Sequence, residues 1–98
     1  MRVRLSPQAN VDVSEKMAFL KANGLSRRPV LEALRDARRV LLTTPWQGPV
    51  ALSVERGGVR RLFLRRISSF LYYEVHEAHD EVRVLRLLHT SLPPPKKL

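Results

Sequence analysis

The chain has 98 residues, 44% of them hydrophobic and 28% charged, the balance of one folded domain with a modest core and no room for a second. It carries no cysteine, which excludes disulfides, thiolate metal sites and a thiol nucleophile. Eighteen Lys and Arg against nine Asp and Glu leave a formal net charge of +9, which opposes compaction by self-repulsion and draws in polyanions or acidic proteins.

The opening Met1-Arg2-Val3-Arg4-Leu5-Ser6-Pro7 has no apolar stretch behind its charges, and nothing later approaches the roughly 20 apolar residues of a membrane span. A cytoplasmic protein without membrane contact is expected. Residues 2–5 alternate polar and apolar and predict a short strand. Ser6-Pro7 then reads as a helix cap with proline in the first turn. The stripe Ala9, Val13, Met17 and Leu20 has helical spacing, with Asp12 and Glu15 towards the helix start and Lys16 and Lys21 towards its end; Asn23-Gly24 stops it. Ser26 and Pro29 open a second helix with the stripe Val30, Leu34, Ala37 and Leu41, running to about Leu42. So short a connection predicts a helical hairpin with one shared apolar face.

From Pro45 the pattern changes. Trp46-Gln47-Gly48-Pro49 is a loop, residues 50–55 are expected to be extended, and Gly57-Gly58 is a turn rather than a phosphate loop, because no GxxxxGK[ST] or GxGxxG surrounds it. Three β-rich runs follow at 59–64, 70–76 and 82–88, with gaps short enough for hairpins. The expected fold class is α+β: an N-terminal strand, a helical hairpin, then an antiparallel meander (β-α-α-β-β-β) with the helices on one sheet face and the other face open. Residues 1–92 form the single domain, and the Pro/Lys-rich residues 93–98 are an extended arm or disordered.

Five arginines, Arg56, Arg60, Arg61, Arg65 and Arg66, fall within eleven residues that hold no acid. On a strand Arg61 and Arg65 share a face with Val59 and Phe63, and Arg60 and Arg66 share the other with Leu62 and Leu64. Guanidinium groups so placed can fork onto phosphates or carboxylates, or simply keep the sheet solvated. Tyr72 and Tyr73 point to opposite faces, one into the core and one to the open side. His76, His79 and Asp80 have only a loose metal-like spacing with no common face, so no metal and no cofactor is expected. His89 closes the last run, where it can serve as general acid or base beside Arg61 and Arg65, or as a polar strand end.

In order along the chain, Val3-Arg4-Leu5-Ser6-Pro7-Gln8-Ala9 with Asp12, Pro45 to Gly48, Gly58-Val59-Arg60-Arg61-Leu62, Leu71-Tyr72-Tyr73-Glu74-Val75 and Asp80-Glu81-Val82-Arg83-Val84-Leu85-Arg86-Leu87-Leu88-His89 resemble the RelE/ParE superfamily of type II toxins, the plasmid stabilisation proteins. The resemblance implies a growth-inhibiting toxin neutralised by a cognate acidic antitoxin in a hetero-oligomer. It places the antitoxin on exposed apolar positions, with Val13, Met17, Leu20, Leu34 and Trp46 as candidates. Its ribosome-dependent branch, the mRNA interferases, implies cleavage by Arg61, Arg65, Tyr73 and His89. This chain departs from that branch, with no lysine between Lys21 and Lys96 and with Thr90-Ser91-Leu92 after His89. The branch that poisons DNA gyrase needs no catalytic set and is nearer in Val84-Leu85-Arg86-Leu87-Leu88-His89, although Ser91 stands where an arginine is common. A non-catalytic gyrase poison is thus the leading expectation, with Arg56, Arg60, Arg61, Arg65, Arg66, Arg83 and Arg86 contacting the target. A non-toxic nucleic-acid-binding module is the remaining alternative.

Overall fold

Ser6 starts the first helix as its position predicts. In the computed structural model, which describes residues 1–98, its hydroxyl accepts the Ala9 N–H at 3.1 Å and α1 spans Pro7–Ala22. Asn23 caps the far end, and Gly24 takes the left-handed φ of +66° that closes the helix. Helix α2 spans Arg28–Thr43 and buries Val30, Ala33, Ala37 and Leu41; its start is held by the Ser26 hydroxyl, which accepts the Arg28 N–H at 3.1 Å.

Four strands form one sheet: β1 Arg2–Leu5, β2 Val59–Leu64, β3 Ser69–His76 and β4 Glu81–His89, in the spatial order β1-β4-β3-β2. The last three make the expected antiparallel meander. Strand β1 joins it parallel to β4, with Val3 opposite Val82, so the sheet is mixed. Each hairpin turns through a short 3-10 segment, Arg65–Ile67 or Glu77–His79, and ends on a residue of positive φ, Ser68 at 46° and Asp80 at 50°. Both helices lie on one face, α1 along β4 and α2 against β1 and β2. They enclose the main core, in which Ala9, Val30 and Leu41 meet Leu71, Tyr73, Val82 and Val84.

The other face is not open, and two expectations change with it. Residues 50–55 are not extended: Val50 alone bridges Arg60, and the Val54 N–H turns back to the Ala51 carbonyl. That turn folds the loop over the sheet and buries Ala51 and Val54 with Val59 and Tyr72 in a second core, joined by Phe70, Leu85, Leu88 and Leu98. Tyr72 and Tyr73 therefore do point apart, yet both are buried, at 1% and 0% exposure. The residues 93–98 run as an arm over this second core, with the Glu55 N–H donating to the Lys96 carbonyl at 2.8 Å.

A bulge in β4 lets one strand serve both cores. Tyr72 pairs with Arg86 but Tyr73 with Val84, leaving Leu85 as the extra residue. Val84 and Leu87 thus both enter the helix-side core, while Leu85 and Leu88 pack beneath the loop. At this irregular point Asp12 of α1, whose side chain is 6% exposed, accepts from Arg86 Nε at 2.8 Å, Arg86 Nη2 at 3.1 Å and the Leu87 N–H at 2.9 Å. The carboxylate raises the Arg86 pKa, working against the opposite pull of burial.

Replacing Asp12 by Ala strands a half-buried guanidinium and a backbone donor together, so a loss of about 3 kcal/mol is expected. Chemical denaturation measures it, and a loss below that of an ordinary exposed substitution, about 0.5 kcal/mol, would show that the clamp contributes little.

Candidate functional site

Between α1, α2 and β1 the apolar stripes do not close completely. They leave a groove of about 340 Å³ lined by Val3, Leu5, Ala9, Val13, Leu34, Ala37, Leu41, Leu71, Val84 and Leu87. Arg35 and Arg38 are its two charged lining residues, both exposed on α2. β1 is an edge strand whose outer side pairs with no other strand of this chain. The groove is thus an apolar trough with a cationic lip beside an open strand edge. Of the apolar docking candidates, Val13 and Leu34 line it; Met17 and Leu20 pack against the main core beyond it, and Trp46 is exposed on the loop after α2.

The seven candidate arginines do not share one face. Arg56 pairs with Glu74 at 3.0 Å, Arg66 with Glu32 at 3.0 Å and Asp36 at 3.4 Å, Arg83 with Glu81 at 3.5 Å, and Arg86 with Asp12. Arg60 sits over the Trp46 ring and donates to the Trp46 and Gly48 carbonyls at 3.1 and 2.8 Å. Arg61 lies 4.0 Å from the Phe70 ring centroid. Arg65 and Arg66 belong to the 3-10 turn after β2, which breaks the strand alternation expected of them; Arg65 is exposed with no carboxylate partner.

The groups named for ribonuclease chemistry are likewise dispersed. The Tyr73 hydroxyl is consumed on the helix side, donating to the Pro45 carbonyl at 2.8 Å and accepting the Gly48 N–H at 3.0 Å; burial raises its pKa. Arg61 faces the second core, whereas Arg65 is on the turn. His89 ends β4 with Nδ1 accepting the Ser91 N–H at 3.0 Å, which leaves the proton of the neutral ring on Nε2. It borders a depression of about 480 Å³ with Lys16, Phe19, Arg86 and Ser91. His76 Nε2 meets Glu74 at 2.7 Å, and His79 is exposed on the 3-10 turn that follows.

No protein-family model and no curated protein matches the sequence. Among solved structures, a chain of one described as the "Chromosomal ParDE TA system from P. aeruginosa" superposes with a TM-score of 0.68, covering 91% of this chain and 95% of that one at 20% identity. This chain has the RelE/ParE-like fold. The correspondence is one of architecture: strand, two helices, then a three-stranded meander within a mixed sheet.

Sequence reasoning missed the groove residues Val3, Leu5, Leu41, Arg35 and Arg38, since nothing in α2 marks which exposed arginines border a gap between packed stripes. It also missed what fixes the loop after α2. A Cβ on Gly48 would lie 2.5 Å from the Tyr73 hydroxyl and 2.7 Å from the Arg61 carbonyl, so only glycine allows this approach. Tyr73→Phe should cost about 1–3 kcal/mol by stripping both groups of their partner. Gly48→Ala should destabilise more than Gly57→Ala, whose added Cβ would meet nothing within 4 Å. Urea midpoints compare the two glycine variants, and equal values would mean that the loop is not pinned.

Proposed function

We propose that this chain is the toxin of a type II toxin–antitoxin pair, held inactive by an acidic antitoxin seated in the groove between α1, α2 and β1. The observation that carries the reading is that groove: an apolar trough of about 340 Å³ lipped by Arg35 and Arg38 on a chain of net charge +9. An amphipathic acidic segment fits it on three counts. Its apolar side fills the trough, its carboxylates meet the arginine lip, and its backbone can extend the sheet at β1. The likeness of fold to a ParDE chain supports the same reading.

For the target, DNA gyrase is favoured over the ribosome and its mRNA. Poisoning by contact needs no converging acid–base set, and here Arg61 faces the second core, Arg65 is on the turn after β2, His89 ends β4, and the Tyr73 hydroxyl on the helix side already makes two hydrogen bonds. Arg61 on β2 and Arg65, exposed on the turn that follows it and without a carboxylate partner, are the proposed target contacts.

Expression alone should arrest growth, and co-expression with a small acidic protein encoded beside it should restore growth and yield a co-purifying complex. Arg38→Glu, which reverses the groove's lip while leaving the core intact, should slow capture of that protein at least tenfold. Purified toxin should inhibit supercoiling by gyrase. Unchanged supercoiling at saturating toxin, together with codon-linked cuts in toeprints of translating ribosomes, would move the target to mRNA.

A further inference from the structure

On the sheet face away from the groove, Glu81 opens β4 buried at 2% exposure, with no hydrogen bond to its Oε1. Three guanidinium groups surround it without closing a hydrogen bond: Arg83 Nε at 3.5 Å and Arg4 Nη1 at 3.6 Å from Oε1, and Arg2 Nη2 at 4.0 Å from Oε2. Register makes the arrangement a grid, since Arg2 lies opposite Glu81 and Arg4 opposite Arg83. Arg2 and Arg4 occupy alternate positions of β1 and so share this face, roughly 6.6 Å apart along the strand.

Stability does not account for the grid. One carboxylate needs one guanidinium in good geometry, and two like charges set directly opposite across a ladder work against the sheet. Protection of an exposed sheet edge accounts for Arg2 and Arg4 on β1 but not for Arg83, which is on β4 with neighbours on both sides. What the grid produces is three cations around one buried anion, with their outer donors in water: Arg2 is 70%, Arg4 65% and Arg83 42% exposed, while Glu74, opposite Arg83 on β3, is already taken by Arg56 and His76. The shallow hollow beside them, about 350 Å³, is bordered by Ser6 and Pro7 with only Leu5 and Leu85 aliphatic.

We propose that Arg2, Arg4 and Arg83, aligned by Glu81, form a phosphate-binding strip for the backbone of a nucleic acid. A protein partner would require an apolar centre to its interface, and this hollow offers little; a sugar–phosphate backbone requires only cations at intervals. Binding is then independent of base sequence and falls with salt. The groove and the strip lie on opposite faces of the sheet, so the strip stands whether or not the chain is a toxin.

The test is anisotropy of labelled 12-nucleotide single strands of mixed sequence against the full chain, over a salt series. Arg2→Ala, Arg4→Ala and Arg83→Ala should each lower the magnitude of the slope of log affinity against log salt by about 0.7. Arg4→Lys, which restores the charge, should recover the slope, and circular dichroism confirms that each variant is folded. Arg39→Ala, which removes an exposed and unpaired arginine from α2, should leave the slope unchanged. The proposal is overturned if the wild-type chain binds no oligonucleotide at about 50 mM salt. It is equally overturned if Arg39→Ala lowers the slope as much as the strip variants, or if a poly-aspartate peptide binds the strip where oligonucleotides do not.

Discussion

One carboxylate holds the layers of this protein together. Parallel pairing with β4 ends at Leu5, where the chain leaves the sheet to begin α1, and the β4 edge beyond that point would otherwise lose its partner. Asp12 takes over that role, receiving the Leu87 N–H in place of a strand and both arms of Arg86 at the bulge. Ser6 anchors the same junction, its N–H donating to the Val84 carbonyl and its hydroxyl to the Leu85 carbonyl. With α1 fixed along β4 and α2 against β1, the stripes meet over the sheet centre but part at its β1 side, and the groove is what remains.

The charge is sorted more finely than its total suggests. Eight of the fourteen arginines lie against one of the chain's own carboxylates: Arg2, Arg4, Arg28, Arg35, Arg56, Arg66, Arg83 and Arg86. These contacts differ in kind. Arg86 and Arg56 close short bonds, whereas the three around Glu81 share one anion at longer range and keep their donors turned outward. The excess positive charge therefore falls on the outer side of α2, with Arg27, Arg38 and Arg39, on β2 and the turn after it, with Arg60, Arg61 and Arg65, and on the far face of the sheet at β1 and β4. A polyanion and an acidic segment can approach from opposite sides.

Local signals carried most of the fold. Ser6-Pro7, Asn23-Gly24 and the two apolar stripes are short-range determinants, and they mark both helices to within a residue or two. The meander was legible for the same reason, because hairpins join neighbours in sequence. What stayed hidden depends on distant contacts. The turn at 50–55 reads as extended by its residues, yet Ala51 and Val54 gain more by folding onto Val59 and Tyr72 than by pairing. Strand alternation misplaced Arg65 and Arg66 because a 3-10 turn begins directly after Leu64. Glu81 falls just outside the expected run 82–88, and nothing in the sequence marks it; its placement opposite Arg2 and beside Arg83 makes it a buried centre.

The pairing of β1 with β4 has a temporal side. Residues such as Ser6 and Leu85, 79 positions apart, must meet before the sheet is complete, and a loop of that span carries a large closure entropy. During synthesis both helices are made well before residues 81–89, so their apolar stripes at first lack the strand that will finally cover them. Completion waits for the last strand. The domain acquires its native shape, and with it any capacity to act, only once residues 81–89 are free to pair on both sides.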